Sequence, residues 1–343
     1  MRFRTMSPRR FDLGIDLGTA NTLAVVPGAG VVLDQPSICC FQAYDAVPRF
    51  VAAGTLAHSY VGKVAKPLKI IHPLRSGVLS DMAAARELLA FVRRAVRPSS
   101  MLGRLRPAIG VPADATQAER RALATAAVDA GFAEPTLIAE PLLAALGLGL
   151  EIEDARARMV IDCGAGTTEI AVISLGGICV SRSVRGGGDA LDQALTDYLH
   201  LKHRFHIGTA SAEALKLRLS QVLIGAAPAV VEVRGMDAAS GLPRELLISP
   251  TELLGVWNKH AEQIVVAVRE ALSETPPELS EDIFEDGITL TGGAAMTALL
   301  ADRISTSSGI ATRIAEAPLA SVAAGLQRGL EEGRLSASLR SAA

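Results

Sequence analysis

The stretch Met159–Gly177, MVIDCGAGTTEIAVISLGG, constrains this chain most. An apolar, β-branched run leads into Asp162, a glycine-rich turn follows, and a second apolar run leaves it. That pattern predicts two short strands joined by a tight loop, with a carboxylate at the exit of the first. Gly164 and Gly166 let the backbone turn sharply and approach a ligand closely, so that its N–H groups can surround an anion. A carboxylate beside such a cradle suits a divalent cation, which prefers carboxylate oxygens and phosphate. The same plan occurs twice. Phe11–Val26, FDLGIDLGTANTLAVV, runs from an apolar strand through Asp16-Leu17-Gly18-Thr19 into a second strand. The copies lie about one domain length apart. Two related halves, each offering an acidic phosphate loop, predict a clamp that closes on a Mg-nucleotide from both sides.

A chain of 343 residues has room for both halves as separate domains. Hydrophobic residues make up 49% but aromatics only 3%, so the interior must be built from Ala, Val, Leu and Ile. A net charge of −2 lacks the basic footprint of a polyanion binder and excludes nucleic acid as a whole-surface partner. Cys39, Cys40, Cys163 and Cys179 show no C-x-x-C spacing. With no secretory segment ahead of them, they are expected to be reduced thiols filling the core of a cytoplasmic protein. Cys163, beside Asp162, leaves a redox-sensing alternative open. No apolar run reaches the roughly 18 residues that a membrane-spanning helix needs.

Met1–Arg10, MRFRTMSPRR, reads either as a solvated terminus or as a short anchor whose apolar side chains enter an anionic bilayer. Gln35–Cys40 is predicted to be a strand, and the turn-rich region from about 34 to 72 a small inserted subdomain. Met82, Ala85, Leu88, Leu89, Val92 and Val96 share one helical face, which Pro98 closes. Pro98–Pro107 is expected to be a loop exposing Met101, Leu102 and Leu105 among arginines. Thr116 and Glu119 have capping-box spacing. Thr136–Ala139 is predicted to be a strand, and Glu140-Pro141 opens a helix, with proline at its favoured first position. Glu140 therefore stands where a strand turns into a helix, a frequent place for catalytic groups in α/β folds.

Beyond the second phosphate hairpin, Arg185–Asp189 is a glycine turn opening a helix to about His203. Thr209–Ser220 is a further helix, containing Glu213 and Lys216, while Val230–Arg234 and Glu245–Ile248 are predicted strands of another small subdomain. Ser249–Glu252 has capping-box spacing again, and its helix continues to Ser273 before Pro276-Pro277 breaks it. Ile288–Thr291 feeds the turn Gly292-Gly293-Ala294-Ala295, and residues 318–333 form a last apolar helix.

Taken in order, GIDLGTANT (14–22), ERRA (119–122), EP (140–141), IDCGAGTTEIAVISLGG (161–177), SRSVRGGGDALD (181–192) and LTGGA (290–294) resemble the bacterial actin MreB family. This family lies within the superfamily of actins, heat-shock chaperone ATPases and sugar kinases, and the resemblance extends from Phe11 to about Glu332. It implies an α/β, actin-like ATPase fold with the nucleotide between two related domains. The first would take residues 1–150 and 316–343, with an insert at about 34–72; the second would take 151–315, with an insert at about 186–248. Asp16 and Asp162 would then organise Mg2+, while Gly18, Thr19, Ala20, Asn21 and Gly164, Ala165, Gly166, Thr167 and Thr168 would surround the phosphates of ATP. Glu140 and Thr167 would position the attacking water. Glu213 and Lys216 would hold ribose and adenine, and Gly292, Gly293, Ala294 and Ala295 would close the pocket.

The resemblance further implies homopolymer filaments at the inner face of the cell membrane, bound through Met101, Leu102 and possible support from the N-terminus, together with cell-wall elongation proteins as partners and a role in rod shape. Two positions depart from the family pattern: Ala294 replaces a third glycine, and Ala214 replaces a second glutamate in the pocket helix. Both leave a non-hydrolysing scaffold, or a filament with another cargo such as an organelle or plasmid, as alternatives. A small-molecule kinase would need a substrate-binding insertion. A chaperone ATPase would need a peptide-binding domain after residue 332.

Overall fold

Strand periodicity decides where the two aspartates point. In β1 (Leu13–Leu17), Leu13, Ile15 and Leu17 face the core of the first half, so Gly14 and Asp16 face the other way. Gly14 lies against Leu326 there, and a Cβ at Gly14 would come within 2.9 Å of the Leu326 Cβ. In β11 (Arg158–Cys163), Met159, Ile161 and Cys163 face the core of the second half, and Val160 faces a third core shared by both halves. Asp162 falls on the Val160 face. Both carboxylates therefore look into the space between the halves.

The computed structural model describes residues 11–43, 48–63, 65–96, 104–221, 230–296 and 298–335. After β1 come β2 (Asn21–Val26) and β3 (Gly30–Pro36), then β4 (Cys39–Gln42), β5 (Arg49–Ala53), α1 (Gly54–His58) and β6 (Leu68–Ile71). A two-residue hairpin of β7 (Leu74–Arg75) and β8 (Val78–Leu79) leads to α2 (Met82–Val96), β9 (Pro107–Val111), α3 (Gln117–Asp129), β10 (Thr136–Ala139) and α4 (Glu140–Gly147). The main sheet of this half runs β3-β2-β1-β9-β10, and a small sheet, β5-β4-β6, stands apart from it.

In the second half, β11 is followed by β12 (Thr167–Ser174), β13 (Gly177–Arg185), α5 (Gly188–His203), β14 (Phe205–His206) and α6 (Thr209–Gln221). Then come β15 (Val231–Asp237), β16 (Pro243–Ile248), α7 (Pro250–Glu274), α8 (Pro277–Asp286), β17 (Ile288–Thr291), α9 (Ala298–Ser308), β18 (Thr312–Ile314) and α10 (Ser321–Glu331). Its main sheet runs β13-β12-β11-β17-β18, and its small sheet β14-β15-β16. The fold is mixed α/β with two sheet-containing domains. α10 returns to the first half, where it packs on β1, β2 and α4.

α4 and α10 cross in close contact. A Cβ at Gly325 would sit 2.6 Å from the Leu143 carbonyl carbon, and one at Gly147 would sit 2.7 Å from the Gly325 nitrogen. Only glycine fits at such a backbone approach. Leu142, Leu143, Leu146, Ala323, Leu326 and Leu330 surround the crossing and form much of the shared core.

Several local expectations need correction. Gln35–Cys40 is not one strand, because β3 ends at Pro36 and β4 begins at Cys39. Leu105 is buried at 7% exposure in the first core rather than displayed in a loop. Cys179 is exposed, unlike the three buried cysteines. The Thr116–Glu119 capping box forms, but the one expected at Ser249 does not: Ser249 pairs with Thr251 (2.7 Å). Glu252 turns to His203 (2.6 Å) and Lys202 (3.3 Å) instead, so charged partners outcompete the backbone donor. Pro277 does not only break a helix; it begins α8 at the first-turn position proline favours. Met1–Arg10, Met101 and Leu102 lie outside the described residues.

Candidate active site

The two loops are fixed from behind. In the first, Ser37 donates to the Gly18 carbonyl (2.6 Å), pairs with Thr22 (2.7 Å) and gives its N–H to the Ala20 carbonyl (2.7 Å). A Cβ at Gly18 would come within 2.7 Å of the Asn21 carbonyl oxygen, so the turn requires glycine. In the second, the Gly186, Gly188 and Asp189 N–H groups donate to the Gly166, Gly164 and Ala165 carbonyls at 3.1, 3.0 and 2.9 Å. The RGGGD turn thus acts as a splint for the second glycine loop. A third glycine turn completes the wall: Gly292 has φ +85° and donates to the Pro318 carbonyl (2.9 Å), and its α-carbon is seated against Asp162 and Cys163.

These elements enclose a cavity of about 170 Å³ lined by Asp16, Asp162, Glu140, both glycine loops and Gly292–Gly293. Thr19, Ala20 and Gly166 also border a larger cleft of about 710 Å³, which runs between Ile38, His58 and His72 of the first half and Asp189, Asp192 and Glu213 of the second. The larger cleft is in the size range of ligand pockets, and the smaller cavity opens from the same loops.

The cavity gathers negative charge. Burial, and then the neighbouring Asp162 and Asp34, push Asp16 up to about 7. Burial pushes Asp162 up to about 6. Glu140 is raised well above the usual carboxylate range by burial, then by Glu169, Asp16, Asp162 and Asp114. Crowded carboxylates resist ionising together, and a cation among them would relieve the repulsion. Among the described residues, neither Asp16 nor Asp162 accepts a side-chain hydrogen bond, and no three acidic, His or Cys side chains converge as a ready metal site. The donor set is thus two free carboxylates beside an anion cradle. It fits Mg2+, which binds through one or two carboxylates and completes its shell with phosphate oxygens and water.

The MreB/Mbl protein family model matches residues 10–337 of this sequence. The chain belongs to the MreB/Mbl family. It is 41% identical over 323 residues to the cell shape-determining protein MreB of Escherichia coli (strain K12), covering 93% of each chain. It is 34% identical over 314 residues to the cell shape-determining protein Mbl of Bacillus subtilis (strain 168), covering 92% of this chain and 94% of that one. Among solved structures it superposes on MreB5 of Spiroplasma citri bound to AMPPNP with a TM-score of 0.87 at 32% identity, over 96% of this chain and 98% of that chain. The same protein bound to ADP gives the same TM-score of 0.87. The fold is therefore the actin-like one.

Within this MreB/Mbl-type frame, the expected site residues separate into groups. Asp16, Gly18, Thr19, Ala20, Asn21, Glu140, Asp162, Gly164, Ala165, Gly166, Thr167, Gly292 and Gly293 line the smaller cavity. Glu213 lines the larger cleft. Lys216 reaches back to the Gly188 carbonyl (3.2 Å) and Asp192 (2.7 Å), bracing the start of α5. Thr168 and Ala295 are fully buried, and Ala294 packs on the second core.

Two features escaped the sequence reading. The first is the β7–β8 hairpin, whose two-residue turn Ser76-Gly77 has φ of +47° and +76°, the geometry of a type I′ turn. Gly77 donates to the Thr19 hydroxyl (3.1 Å), and a Cβ on it would sit 2.7 Å from Thr167 Cγ2, so the tip touches both loops. The Ser-Gly pair between Leu74-Arg75 and Val78-Leu79 was its only sequence signal. The second is Glu169, 2% exposed, the one charge inside the run TTEIAVIS. It is pushed up to about 8 by burial against the opposing pull of a hydrogen bond from Ala113.

Proposed function

We propose that this chain binds Mg-ATP between its halves, hydrolyses it, and assembles into membrane-associated filaments that organise cell-wall synthesis and rod shape. The observation that carries the reading is the meeting of Asp16, Asp162 and Glu140 in one cavity between two glycine loops. It is supported by relatives named as cell shape-determining proteins and by a relative crystallised with AMPPNP and with ADP. We read 1–150 with 316–343 as one domain and 151–315 as the other.

In this reading, Asp16 and Asp162 hold Mg2+, which would supply neutralisation of phosphate charge. Gly18–Asn21 and Gly164–Thr168 surround the phosphates, Gly292–Ala295 close over them, and Glu213 and Lys216 face ribose and adenine. Phosphoryl transfer asks the protein mainly for placement and charge compensation. Glu140 and the Thr167 hydroxyl hold the water in line with the terminal phosphorus. As the new oxygen–phosphorus bond forms and the bond to the bridging oxygen breaks, ADP departs and Glu140 takes the water proton. A carboxyl with raised proton affinity suits that duty.

Membrane attachment is assigned to Met101 and Leu102, with Met1–Arg10 as a second element. Burying two apolar side chains yields only a few kcal/mol, so a monomer should bind weakly and a filament strongly. One experiment covers these points: sedimentation with ATP, ADP or no nucleotide, with and without anionic vesicles, alongside phosphate release. ATP should drive assembly and carry vesicles into the pellet. Dispersed monomers across salt and Mg2+ conditions would remove the filament reading, and assembly without phosphate release would leave a scaffold.

A further inference from the structure

The strand that leaves the second phosphate loop sends two side chains toward the first half. Along β12, Ile170 and Val172 face the second core while Ala171 and Ile173 face the shared core. By the same alternation Thr167 and Glu169 lie on the shared side. Thr167 borders the cavity. Glu169 lies one step deeper, directly opposite Asp162 in the β11–β12 pairing. Its Oε1 accepts the Ala113 N–H at 2.7 Å, a hydrogen bond that joins the halves. Its Oε2 is buried with no partner among the described residues. A carboxyl in an otherwise uncharged strand is costly to bury, and an aliphatic residue would pack there more cheaply.

Ala113 follows the end of β9 after a single residue, Pro112, and β9 is the strand on which Glu140 rests. β10 pairs with β9 so that Ala139 stands opposite Val111. The Glu140 side chain lies over Gly110, whose Cβ, were there one, would sit 3.2 Å from Glu140 Cγ. The connection is short: Glu169 holds Ala113, Ala113 fixes the end of β9, and the end of β9 supports Glu140. A second tie crosses the same gap nearby, from Arg185 to Glu119 at 3.6 Å. That pair is solvent-exposed and correspondingly weak.

We propose that Glu169 is a positioning residue for hydrolysis: its bond to the Ala113 N–H latches the halves together and sets where Glu140 stands relative to the phosphate loops. The idea rests on the hydrolysis reading above. It makes Glu169 a group that acts through Glu140 and through the closure of the cleft, without touching nucleotide itself. The essential element is an acceptor oxygen facing Ala113, which an amide can also supply.

The test uses the full-length chain with Glu169→Ala and Glu169→Gln, read by single-turnover phosphate release, fluorescent-nucleotide binding and amide hydrogen exchange at Ala113. Misplacing a catalytic group by about 1 Å can cost up to a hundredfold. Glu169→Ala should therefore slow turnover about tenfold to a hundredfold, with nucleotide affinity within about twofold. The Ala113 amide should exchange faster. Glu169→Gln should restore most of the rate and the protection. Unchanged turnover in Glu169→Ala, or equal loss in both variants, would overturn the latch. So would loss of turnover only in step with affinity. A wild type that binds but never hydrolyses would instead sink the hydrolysis reading. Ala113 exchange would still decide the hydrogen bond, and unaltered protection in Glu169→Ala would dismiss it.

Discussion

The two halves share a plan and differ at one junction. In each main sheet three antiparallel strands are followed by two parallel ones: β3-β2-β1-β9-β10 in the first, β13-β12-β11-β17-β18 in the second. Each puts an aspartate at the mouth of its first hairpin. The fifth strands then diverge. β10 runs straight into Glu140 and Pro141, whereas Ala315, Glu316 and Ala317 separate β18 from Pro318. Past that linker the Pro318 carbonyl faces the pocket wall, accepting from Gly292 and from Thr291 (3.0 Å) of the second half. Common architecture thus supplies a matched pair of carboxylates facing one cavity. The mismatch gives one half a candidate water-positioning acid and the other a backbone brace.

The largest effect should come from breaking the matched pair. Asp16→Ala and Asp162→Ala should each weaken Mg-dependent nucleotide binding about tenfold to a hundredfold, or roughly 1.4–2.8 kcal/mol. Titration with and without Mg2+ checks this. A loss confined to one variant would mean that the halves do not share the ion.

The junction itself can be tested next. Glu140→Ala should lower turnover by about tenfold to a hundredfold, reaching at most the low end of what a positioned acid–base group contributes. Affinity should hold. Glu316→Ala, the nearest counterpart beyond the fifth strand of the second half, is exposed and should leave turnover within about twofold, since solvated surface changes are small. Phosphate release measured for both decides whether the asymmetry is functional.

A smaller effect concerns pH. Without nucleotide, Asp162, Asp16 and Glu169 hold protons up to about 6, 7 and 8, well above the ordinary carboxylate range near 4. Between about pH 4 and 8 these three groups therefore bind more protons in the folded chain than in the unfolded one, and the stability they contribute falls as pH rises through that window. The thermal midpoint of apo protein should decline from pH 5 to pH 8, and Mg-nucleotide should flatten the slope. A midpoint that rises with pH would contradict the raised values.

Much of this was legible in the chain because it depends on local rules. Asp-x-Gly turns, Pro141 at a helix start and the Thr116–Glu119 cap each have a mechanism confined to a few residues. Gly292 was also legible, as part of a strand-to-helix turn. The hidden parts depend on contacts between distant segments. Nothing near Glu169 in sequence reveals that Ala113 will meet it, and nothing near Glu252 reveals that His203 will draw it away from Ser249. Leu105 reads as a loop residue until the first core is assembled around it.

The crossing of α4 and α10 has a mechanical consequence. Where two helices meet through glycine, backbone rests on backbone, with no side chain between them to repack or change rotamer. Such a contact resists compression and separation, since the leucines around it would lose their burial. Both helices belong to the first half, so the contact fixes α10 and, with it, the preceding Pro318 turn that receives the Gly292 N–H at the pocket wall. Filling either glycine would drive the two helices apart while leaving both loops chemically whole.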